Sequence, residues 1–379
     1  MIDPNKQKFN DDLLVGPGDL ALAAGRFPTI EHVLGHRELR ELFLSYDKPA
    51  NAAKKQGRMA GFLAIALVYA ALALAATEYV ARSHHEGSSL WWKVVFFARE
   101  AVPFVSAAMG IAGVVIGGMG ILTARRKASW LQGRLMTERL RQFHFQSFVL
   151  RSREIAASLA DEQARVQFLK KRNTWFEGFK GRFVDRLAGE LTRTIGEEAE
   201  EDAWLHATPG EPDAVDNPLL EPLFDAYREL RIEHQLSYCN YKLREDARLL
   251  SDAPQHQTII LSNTGLICIV LLFFIHVLVL CWALFSPKTW PLASVAVNLC
   301  VTWIAFAALA VRSVEQGLQP EREIERYQQY RSGVRAVLQR FNQAKSQTEK
   351  LRVMREMERL TYDEMQNFLA TNARARFVM

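Results

Sequence analysis

Four stretches of this chain, 59–77, 101–124, 258–285 and 289–311, contain no Asp, Glu, Lys or Arg. At 1.5 Å of rise per residue even the shortest reaches about 28 Å as a helix, close to the ~30 Å hydrocarbon thickness of a bilayer. Helices in a soluble core rarely run that far without a charge. The expectation is an all-α membrane protein with four transmembrane helices arranged as two hairpins. Over all 379 residues the hydrophobic fraction is 49%, a value soluble and membrane proteins share, so it is the distribution that decides. An earlier apolar run, 13–24, is broken by Gly16, Pro17, Gly18 and Asp19 and preceded by Asp11 and Asp12. It makes a poor signal peptide, so the first span must also direct insertion.

Orientation follows from the cations flanking the spans, because cytoplasmic loops keep an excess of Lys and Arg. Lys48, Lys54, Lys55 and Arg58 precede the first span, and Arg125, Arg126, Lys127 and Arg134 follow the second. Lys242, Arg244 and Arg248 precede the third, and Arg312, Arg322 and Arg326 follow the fourth. Both termini and the middle segment are therefore expected in the cytoplasm. The loop 78–100 faces out and carries Trp91, Trp92, Phe96 and Phe97, residue types that settle at the membrane interface. The net charge of +5, clustered beside the spans, favours anionic lipid as a partner over nucleic acid.

The polar mass reads as helical. No proline occurs between Phe104 and Thr208, so the second span is expected to continue as a helical stalk carrying Trp130, Leu131, Leu135, Leu140, Phe143 and Phe148 on a broad stripe. An acidic run from Glu197 to Asp202 leads into Pro209, Pro212, Pro218 and Pro222, which reads as an exposed linker. After the fourth span, 321–379 holds no proline and places Tyr327, Tyr330, Val334, Leu338, Phe341, Leu351, Leu360 and Phe368 near helical spacing. That is one long amphipathic helix or two, and its stripe needs a helical partner. The expected division is an N-terminal cytoplasmic segment (1–47), a two-span unit with its stalk (48–206), the acidic linker (207–223) and a second two-span unit ending in the long helix (224–379). The order helix, span pair, long helix thus occurs twice.

No P-loop, dinucleotide fingerprint, HExxH or GxSxG is present, so catalysis has no visible home and no cofactor is implied. His84 and His85 lack a third ligand nearby and read as an exposed loop pair rather than a metal site. Cys239, Cys268, Cys281 and Cys300 show no metal-ligand spacing and read as small apolar residues. In the second span Gly110, Gly113, Gly117 and Gly118 help to form a small-residue face. Such a face packs on the first span, where Ala64, Ala71 and Ala75 offer a matching surface, or it serves as a subunit contact or pore lining. His276, Asn298 and Thr302 add polar atoms at membrane depth, where interhelical hydrogen bonds or a hydrated path would accommodate them.

Just past the second span, Trp130, Arg134, Glu138, Leu140 and Arg141, followed by Phe145, form a pattern that resembles the SLATT group, the SMODS and SLOG-associating two-transmembrane effector domains of bacterial conflict systems. The second half is similar in layout, with Tyr327 and Arg331 over the Trp and Arg positions but Val334 or Arg335 where the Glu would stand. Glu358, Leu360, Glu364 and Phe368 resemble the carboxyl end of such a domain. The resemblance spans roughly 37–179 and 224–379 and implies a tandem pair. It also implies a non-enzymatic effector that oligomerises and permeabilises or depolarises the inner membrane when a nucleotide signal or partner protein triggers it. No SLOG, TIR or nucleotidyltransferase sensor accompanies the spans, so the trigger would come from elsewhere. Leu351, Leu360 and Phe368 would lie on a coupling helix. The alternative from a different class is a membrane-anchored scaffold that positions a soluble enzyme.

Overall fold

The computed structural model describes residues 11–16, 18–83, 101–116, 124–196, 203–206, 217–245, 253–285 and 290–374. Among these every regular element is helical and no strand occurs. Two short helices, α1 (Asp19–Arg26) and α2 (Glu31–Leu34), lead into the long α3 (Arg37–Ser83). The apolar helix α4 (Ala101–Ile116) follows, then α5 (Ala124–Leu150), α6 (Ser152–Ala160), α7 (Glu162–Phe183) and α8 (Leu187–Ile195). The second half begins with α9 (Glu221–Tyr227), a π-helical segment Arg228–Glu233 and α10 (His234–Lys242). It continues with α11 (Pro254–Phe285), α12 (Trp290–Leu318), α13 (Pro320–Gln343) and α14 (Gln347–Arg374).

Local chemistry sets these boundaries. Pro254 and Pro320 open their helices, where a missing N–H is harmless and the fixed φ is already helical. Gln319, in the left-handed region at φ 43°, breaks the chain between α12 and α13. Asp161 caps α7 by accepting from the Ala164 N–H at 2.8 Å. The carboxyl-terminal amphipathic stretch divides into two helices at a capping box: the Glu349 N–H donates to Ser346 Oγ (3.2 Å) while Glu349 Oε2 accepts from the Lys345 and Ser346 N–H groups (2.7 and 3.4 Å).

Contacts gather the chain into two units that each draw on both halves. The first takes residues through Ala53, Ala128–Arg244 and Glu323–Arg374. The second takes Lys54–Lys127 and Glu245–Arg322. The first unit has an aromatic interior in which Phe43, Phe145, Phe148, Phe176, Phe183 and Phe224 are all buried. Leu220 and Leu223, at the end of the stretch 207–223, belong to that interior, so the linker's last residues are packed.

The second unit inverts this pattern. Phe273, Phe274, Leu278, Leu284 and Phe285 of α11 are exposed, Phe285 to 83%. In water an apolar surface of that extent is untenable, whereas hydrocarbon tolerates it and leaves helix backbones to satisfy themselves. Three helices, α3, α11 and α12, each hold a stretch long and apolar enough to cross a membrane, and Ala101–Ile116 is a shorter apolar helix. The chain is a helical membrane protein. The predicted loop 78–100 lies largely outside the described residues, as do His84, His85, Gly117, Gly118 and the acidic run 197–202.

Small residues hold the helices of this unit close. A Cβ at Gly110 would lie 3.7 Å from the Ala71 Cβ, and one at Gly113 would lie 2.7 Å from Val68 Cγ2 and 3.3 Å from the Ala64 carbonyl. The predicted small-residue face of α4 therefore meets the alanine-rich span of α3. Ser106 Oγ donates to the Ala71 carbonyl at 2.9 Å, Tyr69 meets Ser313 at 2.9 Å, and Trp303 Nε1 donates to Ala73 O and Thr77 Oγ1, both at 3.2 Å. These bonds join α3 to α4 and to α12.

Candidate functional site: a buried network of ions and rings

Trp130, Arg134, Glu138 and Arg141 are spaced by four, four and three residues along α5, which puts them on one helical face. That face is turned into the first unit. Glu138 Oε1 accepts from both Arg134 (2.7 Å) and Arg141 (2.8 Å). Arg141 reaches on to the fully buried Asp12, with Nε to Oδ2 at 2.5 Å, and lies over the Phe43 ring. Burial works against the Glu138 anion, but the two guanidiniums outweigh it and hold the carboxyl down at about 2. Trp130, 3% exposed, meets Phe368 of α14 edge to face at 5.8 Å. The Phe368 ring also faces the guanidiniums of Arg134 (5.9 Å) and Arg326 (5.1 Å). Arg326 of α13 in turn pairs with Glu323 at 2.6 Å and with Glu364. Burial pushes the Glu364 carboxyl up to about 7 despite Arg326 beside it.

A second knot ties the π-helical segment to α14. Arg231 forms a bidentate pair with Glu358, Nε to Oε1 at 2.9 Å and Nη2 to Oε2 at 3.0 Å, and donates to Thr361 Oγ1 at 2.9 Å. The Tyr227 hydroxyl lies 2.7 Å from Glu358 Oε1 and 3.1 Å from the Met354 carbonyl. Arg231 is 1% and Glu358 0% exposed, so both charges are fully desolvated. The Arg231 guanidinium stands 4.7 Å from the Phe145 ring, and Tyr227 meets that ring edge to face at 5.9 Å. Through Phe145 the two knots share α5. An ion pair this deeply buried adds little net stability over an apolar substitute, yet separating its members costs several kcal/mol, so it fixes one arrangement of the helices against others.

The predicted site residues fall into two groups. Trp130, Arg134, Glu138 and Phe368 are brought together in one cluster, and Leu351, 2% exposed, lies in the same unit's core. Leu360 is half-buried, and its Cδ atoms would sit 3.0 Å from a Cβ at Gly333. In the second unit Gly110 and Gly113 face α3, His276 and Asn298 are exposed on α11 and α12, and the Thr302 hydroxyl donates back to the Asn298 carbonyl at 2.7 Å. Asp12, Tyr227 and Arg231 escaped the sequence reading. A signal was available for Arg231: Arg-Glu-Leu-Arg occurs twice, at 37–40 and 228–231, each time ahead of a span pair. His36 and Tyr227, both buried, precede the two copies, and His36 stacks edge-on against Phe176 at 4.7 Å.

Among the described residues no group of three or more His, Cys, Asp or Glu could hold a metal. A cleft of ≈ 430 Å³ in the first unit is lined by Thr194, Arg359, Tyr362, Asp363 and Gln366, among others. What the network offers chemically is mutual dependence: nine charged groups, one tyrosine hydroxyl and one indole ring whose partners are spread over both halves of the sequence. No family model, no curated protein and no solved structure matches the chain.

Proposed function

We propose that this protein is a four-span membrane effector of a bacterial antiviral or conflict system, related to the SLATT domains. It oligomerises and permeabilises or depolarises the inner membrane when a signalling nucleotide or partner protein acts on its cytoplasmic helices. Both termini are cytoplasmic, and the charge-free stretch 101–124 supplies the fourth span. The observation that carries this reading is that the Trp130, Arg134, Glu138 and Phe145 pattern, which prompted the resemblance, forms the interior of the buried network while helix α3 belongs to both units. A stimulus that disturbs the network therefore acts on residues continuous in one helix with an apolar span. Arg359, Tyr362 and Gln366 give a small polar trigger a place to bind beside Glu358 on α14. A non-conducting scaffold is the second reading, favoured by the lack of any Asp, Glu, Lys or Arg in the four apolar stretches.

Membrane potential, read with a voltage-sensitive dye in cells carrying the chain and its neighbouring genes, separates the two during phage challenge. Depolarisation that requires this chain supports the effector. A defence phenotype with an undisturbed potential overturns it in favour of the scaffold.

A further inference from the structure

Helices α11 and α12 pack as a hairpin whose register can be read from Gly265 and Val311: a Cβ at Gly265 would lie 3.9 Å from Val311 Cγ1, so the two residues are level. His276 stands eleven residues after Gly265, about 16 Å along α11, and Asn298 stands thirteen before Val311, about 20 Å along α12 in the same direction. The two polar side chains therefore sit within roughly 4 Å of the same depth. Both are exposed, and neither bonds the other. His276 Nδ1 lies 2.6 Å from the Leu272 carbonyl, so that nitrogen carries the proton and Nε2 is left as an acceptor. Asn298 carries an amide with two donors. Around them are Phe273, Phe274, Val277 and Leu278, all exposed and all apolar.

Lipid tails offer such groups nothing, and an amide or imidazole left alone in hydrocarbon costs several kcal/mol. Resting on the membrane-effector reading, we infer that copies of this chain meet through the second hairpin, with His276 Nε2 of one copy accepting from the Asn298 amide of the next. A second copy is the occupant because it supplies the complementary group at the depth required. Acceptor and donor lie on different helices, so every copy can give one such bond and receive one, as in a two-fold dimer with two reciprocal bonds or a ring with one at each joint. The small-residue face of α4 is already occupied by α3 within the chain, whereas the His276 and Asn298 side chains are exposed.

Disulfide trapping in native membranes tests the contact. Two differently tagged full-length chains, with Cys239, Cys268, Cys281 and Cys300 replaced by Ala, are co-expressed, one carrying His276→Cys and the other Asn298→Cys. A linked heterodimer several-fold above that given by Leu266→Cys with Asn298→Cys, a pair at different depths, is expected. Trapping no greater than in that control overturns the contact. His276→Leu and Asn298→Leu, which make the spans more apolar and so preserve insertion, should each weaken association by about 3- to 20-fold on native gels, and unchanged association in both likewise overturns it. The dye measurement is independent. Depolarisation without trapping removes this contact and leaves the effector reading standing, whereas trapping without depolarisation upholds the contact and removes the effector reading.

Discussion

Arg231 and Glu358 make the strictest demand of any residues in the first unit, because each is the other's main compensation for complete loss of water. Glu358→Ala leaves a buried guanidinium uncompensated and should cost about 3–5 kcal/mol, whereas replacing both residues with Met should recover most of that loss. Denaturant unfolding of the detergent-solubilised protein checks this; a double variant no more stable than the single would contradict it. Histidines set the pH response. Burial first, with nearby cations adding to it, lowers His36 to about 2 and His144 to about 3, and burial lowers His206 to about 4, against 6.5 when unfolded. A folded-state value below the unfolded one gives stability that is complete above pH 6.5 and is lost as pH falls below it. Glu364, raised to about 7 from 4.5, acts in the opposite sense: its contribution is full below pH 4.5 and lost as pH rises through 7. Three histidines outweigh one carboxyl, so the thermal midpoint should drop on acidification from pH 7.5 to 5. A midpoint constant or rising over that range would refute the assignment. The Arg134–Glu138 pair was legible from spacing alone. Asp12 was not, since nothing local marks a partner that lies 129 residues away from Arg141.

Helix elements were the most legible part of the sequence, because charge-free length and apolar period act locally. The split between α13 and α14 was open in the periodicity, yet Ser346 and Glu349 spell the capping box that makes it. On most spans the protein-facing side could not be read, since all sides are apolar; on α4 the small residues marked a face but left its partner, the first span or another subunit, open. For α4 the structure resolves it, and the contact can be tested. The Gly110 and Ala71 Cβ positions, 3.7 Å apart, suit a disulfide. In a chain with its native cysteines replaced, Gly110→Cys with Ala71→Cys should link within one chain. Adding Gly113→Leu drives a side chain into Val68 and the α3 backbone, should cost about 1–3 kcal/mol, and should lower the yield sharply. An undiminished yield would show that the helices do not meet there. Deleting α14 is the cruder experiment, because it strips Arg231 of Glu358 along with any coupling role. Leu351→Asp confines the change to one buried position and should cost about 2–5 kcal/mol of first-unit stability while leaving the spans inserted.

At the scale of the whole molecule the two halves of the sequence are interleaved in space, with segments of each contributing to both units. Linear order suggests two successive two-span blocks, and only long-range pairs such as Arg231 with Phe145 or Trp130 with Phe368 reveal the sharing. The orientation deduced from flanking cations is open to direct labelling. A cysteine at Ser88 or Ser89 should react with an impermeant reagent on intact spheroplasts and one at Lys127 should not; the reverse pattern would invert the topology. The central claim is that the buried network governs what the spans do to the membrane. It is tested most directly by recording membrane potential during phage challenge in cells with equal amounts of membrane-inserted native chain or the Glu358→Ala variant. The account predicts depolarisation with the native chain and an undisturbed potential with the variant. Equal depolarisation in both, or in neither, would contradict it.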